Sequence, residues 1–233
     1  MKSAYINTIL FILFFSLTLS AQEDWARVNA CKYPNYSNEN IIRMLINEMS
    51  IEEKVGQVIQ GDLEFISPSD VKKYNIGSVL NGGNTSPYGN KFSSADDWKS
   101  LSKEFYDAST EIKGIKIPVL WGTDAVHGHN NLIGATLFPH NIGLGASRNY
   151  SLVKQIGQAI ALEVLSTGVV WTFAPTIAVP QNDTWGRTYE GFSEDPKLVS
   201  ALGEAFILGL QGENSDFLLS LIHISEPTRR NSI

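Results

Sequence analysis

Asp124 and Arg187 are the residues whose type and setting point most directly to chemistry. Asp124 follows the apolar run Pro118–Trp121, in a stretch that reads Trp-Gly-Thr-Asp-Ala-Val-His-Gly-His-Asn-Asn from 121 to 131. Arg187 follows the apolar run Val169–Ala174, in the stretch Trp-Gly-Arg-Thr-Tyr-Glu-Gly-Phe-Ser-Glu-Asp-Pro from 185 to 196. Each charge lies near an aromatic residue in sequence, Trp121 and Trp185. A pocket for a sugar needs this mix. Carboxylate and guanidinium groups hold hydroxyls through charge-assisted hydrogen bonds, and aromatic faces cover the C–H surface.

The neighbouring polar residues admit other roles. Glu190 and Asp195 have the look of a glycosidase carboxylate pair, but they read better as supports of the loop, either one a partner for Arg187. His127 and His129 form a His-x-His after a strand, an opening also used by metal-dependent amidohydrolases. That reading needs more ligands, and His140 sits instead in a Phe-Pro-His-Asn loop. Core hydrogen bonding beneath the sugar is the better account of the pair. Gly82, Gly83, Gly143 and Gly145 lack the spacing of a phosphate loop and read as tight turns. Trp98 reads as core; Trp121, Trp171 and Trp185 are equally well placed as pocket wall or as packing.

These residues need a scaffold, and the apolar pattern supplies one. Helices are expected over Ser37–Met49, from the capping box Ser50–Glu53 through Val58, over Ala95–Ile112, over Ser151–Thr167 closed by Gly168, and over Pro196–Leu210 ended by Gly212. Strands are expected at Ile76–Leu80, ending in a turn at Asn81 to Gly83, at Pro118–Trp121 and at Val169–Ala174. Strands apolar on both faces, alternating with helices, indicate an α/β fold with a parallel sheet covered by helices. Asp124 and Arg187 then sit just beyond strand C-termini, where such folds build their sites. No internal repeat or low-complexity tract interrupts the pattern.

The chain has 233 residues and a net charge of −6. That charge argues against nucleic acid or an anionic membrane as partner, since both call for a basic face. Residues 1–20 read as a secretory signal: Lys2, then a short apolar core from Ile9 to Leu19, then small residues near a cleavage point. The core is shorter than the roughly 18 apolar residues of a membrane span, so a secreted or periplasmic location is expected, with no membrane attachment after cleavage. Cys31 lies well past the cleavage region and reads as a packed residue. Leu219 to Arg229 resembles, residue for residue, the in-frame translation of a transposon-derived sequencing adapter. Residues 219–233 are accordingly expected to be a non-native tail, in which His223 carries no meaning, and 21–218 the native part.

Six ordered motifs carry a family resemblance. They are Glu52 to Gln57, Ile76 to Gly83, Gly122 to Asn131, Phe138 to Gly145, Trp171 to Pro175 and Trp185 to Arg187. At these residues the chain resembles glycoside hydrolase family 3, in its β-glucosidase and exo-β-glucanase branch, from about Ser50 to Gly212. The stretch around Asp124 is unlike the N-acetylhexosaminidase branch. The resemblance implies the N-terminal half of a TIM-like (β/α)8 barrel, truncated, since a whole barrel takes about 250 residues. It implies retaining hydrolysis of terminal β-D-glucosyl residues from oligosaccharides through a glycosyl–enzyme intermediate, with neither organic cofactor nor catalytic metal. Asp124 and Arg187 become binders of the terminal sugar. The family's Lys-His pair, its nucleophilic Asp and its acid/base residue have no counterpart in these residues, so no catalytic residue is assigned. The chain by itself is expected to be inactive, and the α/β sandwich domain that commonly follows the barrel is expected as its missing partner. Two other readings remain beside this one: a non-catalytic sugar-binding truncation, and the metal enzyme built on His127 and His129.

Overall fold

A computed structural model describes residues 36–82, 85–112, 114, 116–212 and 220–221. The leader, Cys31, Gly83 and His223 lie outside them. The chain divides into two compact units, Met1–Glu48 and Met49–Ile233. Helix α1 (Tyr36–Glu48) is the described element of the first, close to the expected bounds.

Helix α2 (Ile51–Gln57) starts where the capping box places it. The Ser50 hydroxyl accepts from the Glu53 amide at 3.1 Å, and the Glu53 carboxylate accepts from the Ser50 amide at 2.8 Å. Strand β1 (Gln60–Asp62) and helix α3 (Pro68–Tyr74) come next, and apolar periodicity announces neither. The strand reads Gln-Gly-Asp, with no apolar residue. It exists through main-chain pairing with β2 (Ser78–Asn81). The helix buries Val71 alone, so no stripe forms. Its real signal is the cap, Ser67 followed by Pro68 and Asp70.

Helix α4 (Ala95–Thr110) leads to β3 (Leu120–Thr123), and helices α5 (Asn141–Ser147) and α6 (Tyr150–Ser166) lead to β4 (Trp171–Thr172). Helix α7 (Pro196–Gln211) leads to β5 (Ser220–Leu221). Strand β3 keeps its expected length but is shifted two residues toward the C-terminus: Pro118 has no amide proton to pair, and the Val119 amide donates to the Ser109 hydroxyl at 3.0 Å instead. Strands β2 and β4 are shorter than the expected Ile76–Leu80 and Val169–Ala174. Helix α5 is unannounced as well: it has seven residues, two of them glycine.

All strand pairs are parallel, and the sheet order is β1-β2-β3-β4-β5. The expected α/β class and parallel sheet are what the structure has. A doubly wound sheet reverses its order at a switch point. Here every strand pairs with its sequence neighbour, as in a (β/α) barrel wall. Ser220 and Leu221 belong to the stretch read as a tail. A two-residue ladder uses main-chain groups only, so the pairing is indifferent to their origin.

The core lies between one face of the sheet and the helices. Val79 and Trp121 project from β2 and β3 into it, meeting Trp98, Phe105, Ile160, Val164, Leu202 and Phe206, all buried. Full burial of such side chains contributes about 1.5–3 kcal/mol each. Leu120 and Gly122 alternate to the other face, where Leu120 remains 46% exposed. Among the described residues no helix is long and apolar enough to cross a membrane.

Candidate functional site

Strand β3 ends at Thr123, and Asp124 is the next residue. Its carboxyl is partly buried. Burial pushes its pKa above the ordinary aspartate value, the charge of Glu190 pushes it further, and Arg187 pulls it back. The three charged groups therefore feel one another, although sixty-odd residues separate Asp124 from the others in sequence. Two loops meet here, one after β3 and one after β4, as a barrel's C-terminal face requires.

Arg187 is held in a fork. Its Nε donates to Glu190 Oε1 at 2.7 Å, and an η nitrogen donates to Oε2 at 2.7 Å. Two parallel bonds fix the guanidinium plane as well as its position. The spacing of three residues works because Thr188–Glu190 forms a 3-10 turn. The Thr188 hydroxyl steadies that turn by donating toward the carbonyls of Asn182 and Trp185 at 3.0 and 2.8 Å. Of the two acids weighed as partners, Glu190 is the one that pairs with Arg187. Asp195 caps α7, accepting from the Lys197 amide at 2.9 Å.

The histidines separate. His127 is partly buried, and its ring centroid is 4.3 Å from that of His140, which meets the edge of Tyr189 at 4.7 Å. Burial, then the neighbouring His140, holds the His127 pKa below the ordinary histidine value. His129 turns into the core. Between them Gly128 sits at φ +116°, and a Cβ there would lie 2.1 Å from the Thr136 carbonyl oxygen. Glycine is needed on both counts. His129 is fully buried, packs on Trp98 with ring centroids 6.1 Å apart, and shares a 3.1 Å hydrogen bond between its Nε2 and the Thr167 hydroxyl. That hydroxyl already donates to the Val164 carbonyl at 2.6 Å. It must accept from the ring, which assigns the neutral Nε2–H tautomer. His129 is thus spent on packing and on Thr167 rather than standing beside His127 as a ligand. Among the described residues no three His, Cys, Asp or Glu side chains are grouped to hold a metal ion.

The tryptophans separate too. Trp121 is core, donating from Nε1 to Asn81 Oδ1 at 2.9 Å and packing on Trp98 and Phe105. Trp171 is buried against Phe173, edge to face at 5.1 Å. Trp185 is partly exposed beside Arg187 and remains the one of the three able to offer a ring to a ligand.

The sequence reading missed Asn141, and it took Gly143 and Gly145 for tight turns where the structure has helix α5, whose close approach to a neighbouring backbone needs the small residue. Asn141, 1% exposed, donates from Nδ2 to the Glu190 carbonyl oxygen at 2.8 Å. One turn on, a Cβ at Gly145 would lie 1.7 Å from the Phe192 carbonyl oxygen, so the helix rests directly on that backbone. The Phe-Pro-His-Asn loop contains Asn141, but nothing in its pattern names a partner 49 residues away.

Residues 50–225 match the Glycosyl hydrolase family 3 N terminal domain. The chain belongs to this family. Among curated relatives, it is 34% identical over 197 residues to a lysosomal beta glucosidase of Dictyostelium discoideum, covering 78% of this chain and 24% of that one. A periplasmic beta-glucosidase of Salmonella typhimurium is 30% identical over 170 residues, covering 73% and 20%. Among solved structures, an exo-1,3/1,4-beta-glucanase from a Pseudoalteromonas species superposes with a TM-score of 0.74 at 48% identity, covering 80% of this chain and 24% of that one. The chain thus spans about a quarter of the length of such relatives. The resemblance read from the six motifs holds, and the family 3 domain begins at the capping-box serine, Ser50.

Proposed function

We propose that the complete gene product is an exo-acting β-glucosidase or β-glucan glucohydrolase, and that Asp124 and Arg187 hold hydroxyls of the terminal glucose. The observation that carries this reading is the approach of two loops that follow the neighbouring strands β3 and β4 of a family 3 sheet, the Asp124 loop and the Arg187 turn, which His140 joins by touching both His127 and Tyr189. Arg187 arrives oriented by Glu190, which is how a hydroxyl-binding group should be presented. Relatives described as beta glucosidases, one of them periplasmic, support the substrate class and an exported location, with residues 1–20 as the signal. The substrate partner is a β-glucoside oligosaccharide. Catalytic carboxylates belong to later parts of the protein, including the α/β sandwich domain, and residues 219–233 are a non-native tail.

The test is an assay of the complete gene product on an aryl β-D-glucoside, with the released sugar followed by proton NMR. Hydrolysis with β-glucose appearing first is expected, as double displacement requires. The 233-residue chain assayed alone is expected to give no turnover. Inactivity of the complete product, or α-glucose appearing first, would sink the proposal. Sequencing of the locus without transposon-based libraries tests the tail.

A further inference from the structure

Two segments must stay in register for the site to work, the Asp124 loop and the turn that carries Arg187 and Glu190. Helix α5 lies between them. His140, just before the helix, contacts both sides: His127 of the Asp124 loop and Tyr189 of the turn. Asn141, its first residue, reaches the turn by a directed bond, Nδ2 to the Glu190 carbonyl oxygen at 2.8 Å. Its Oδ1 is buried with no hydrogen-bond partner among the described residues. An orphaned buried oxygen is destabilising, and a leucine at this place would carry none. The amide is accounted for by what its nitrogen holds.

We infer that Asn141 is a positioning residue of the sugar site: it anchors the main chain at Glu190, and through the Glu190 carboxylate it sets the guanidinium of Arg187 opposite Asp124. The inference rests on the proposed function. The chemistry calls for asparagine rather than aspartate. A carboxylate would set acceptor against acceptor at the Glu190 carbonyl and add a third negative charge near Asp124 and Glu190. Without the donor the turn is free to slide along α5, and a displacement of about an ångström is enough to spoil a binding geometry.

A mutant cycle on the complete gene product, read as kcat/KM on an aryl β-D-glucoside, tests this. Asn141→Leu is expected to lose on the order of tenfold in the native background. In an Arg187→Ala background it is expected to lose less than about twofold, because its effect runs through Arg187. Asn141→Ser, which keeps a hydroxyl donor, is expected to fall between, and serves in the same cycle where Asn141→Leu does not fold. Equal losses in both backgrounds would reduce Asn141 to general packing and overturn the inference; so would no loss in either. An inactive wild-type gene product overturns the proposed function and this inference together, whereas an active one with additive losses overturns the inference alone.

Discussion

Asp124→Ala is expected to cost the complete gene product about 10- to 100-fold in kcat/KM on a β-glucoside. A hydrogen bond to a charged group contributes about 1.5–3 kcal/mol, and about 1.4 kcal/mol is tenfold. The same site makes a second, opposite prediction for stability. The Asp124 pKa is raised in the folded protein, first by burial and then by Glu190. A carboxyl with a raised folded pKa favours the folded state when protonated, and this contribution is lost as pH rises through the folded value. At neutral pH the folded protein therefore bears a charge that it resists. Asp124→Asn, of the same shape, is expected to raise the thermal unfolding temperature at pH 7 while lowering activity. The acid limb of the pH–activity profile carries the same signature. Asp124 takes up its proton at a higher pH than an ordinary aspartate, and Glu190→Gln, which removes the second cause of the shift, moves that uptake lower. An Asp124→Asn variant less stable than wild type at pH 7, or with kcat/KM unchanged, contradicts this account of the residue.

His129 is expected to make the domain acid-sensitive. Burial pushes its pKa down to about 4 from the ordinary 6.5. The unfolded chain takes a proton that the folded core refuses, so the contribution of the neutral ring is whole above the unfolded value. It is lost as pH falls from there toward the folded value. The difference in pKa corresponds to about 3 kcal/mol. His129→Leu forgoes the Thr167 bond, costing about 1 kcal/mol at pH 7, but it has no proton to take up. The variant is expected to be the less stable protein at pH 7 and the more stable at pH 4.5. Unfolding followed by tryptophan emission reads this out, since Trp98 lies against the ring. Parallel loss of stability by both proteins on acidification would show that His129 is not the responsible group.

What was legible in the sequence follows from how each element is held. Helices α4, α6 and α7 bury apolar stripes such as Trp98, Leu101 and Phe105, or Val199, Leu202 and Phe206, and a stripe is visible as a period. Strand β1 and helix α3 are held by main-chain pairing and by the Ser67 cap, which leave no period. Asp124 and Arg187 stand out in the sequence as candidates because a charge beyond a buried strand is conspicuous, and the Arg187–Glu190 pairing was legible because i,i+3 neighbours can be enumerated. The role of Asp195 was equally available, as an acid before Pro196 at the start of a helix, but the nearby arginine competed for it. Asn141 was not available: its bond to Glu190 exists only after two loops have been brought together by the sheet. The division of Trp121 from Trp185 likewise depends on which face of β3 meets α4.

The most direct measurement of the central claim is a crystal structure of the complete gene product with D-glucose bound. The account predicts glucose hydroxyls within hydrogen-bonding distance of both the Asp124 carboxylate and the Arg187 guanidinium, with the Glu190 fork intact. Glucose seated elsewhere, or in the same cleft without touching either side chain, would contradict it.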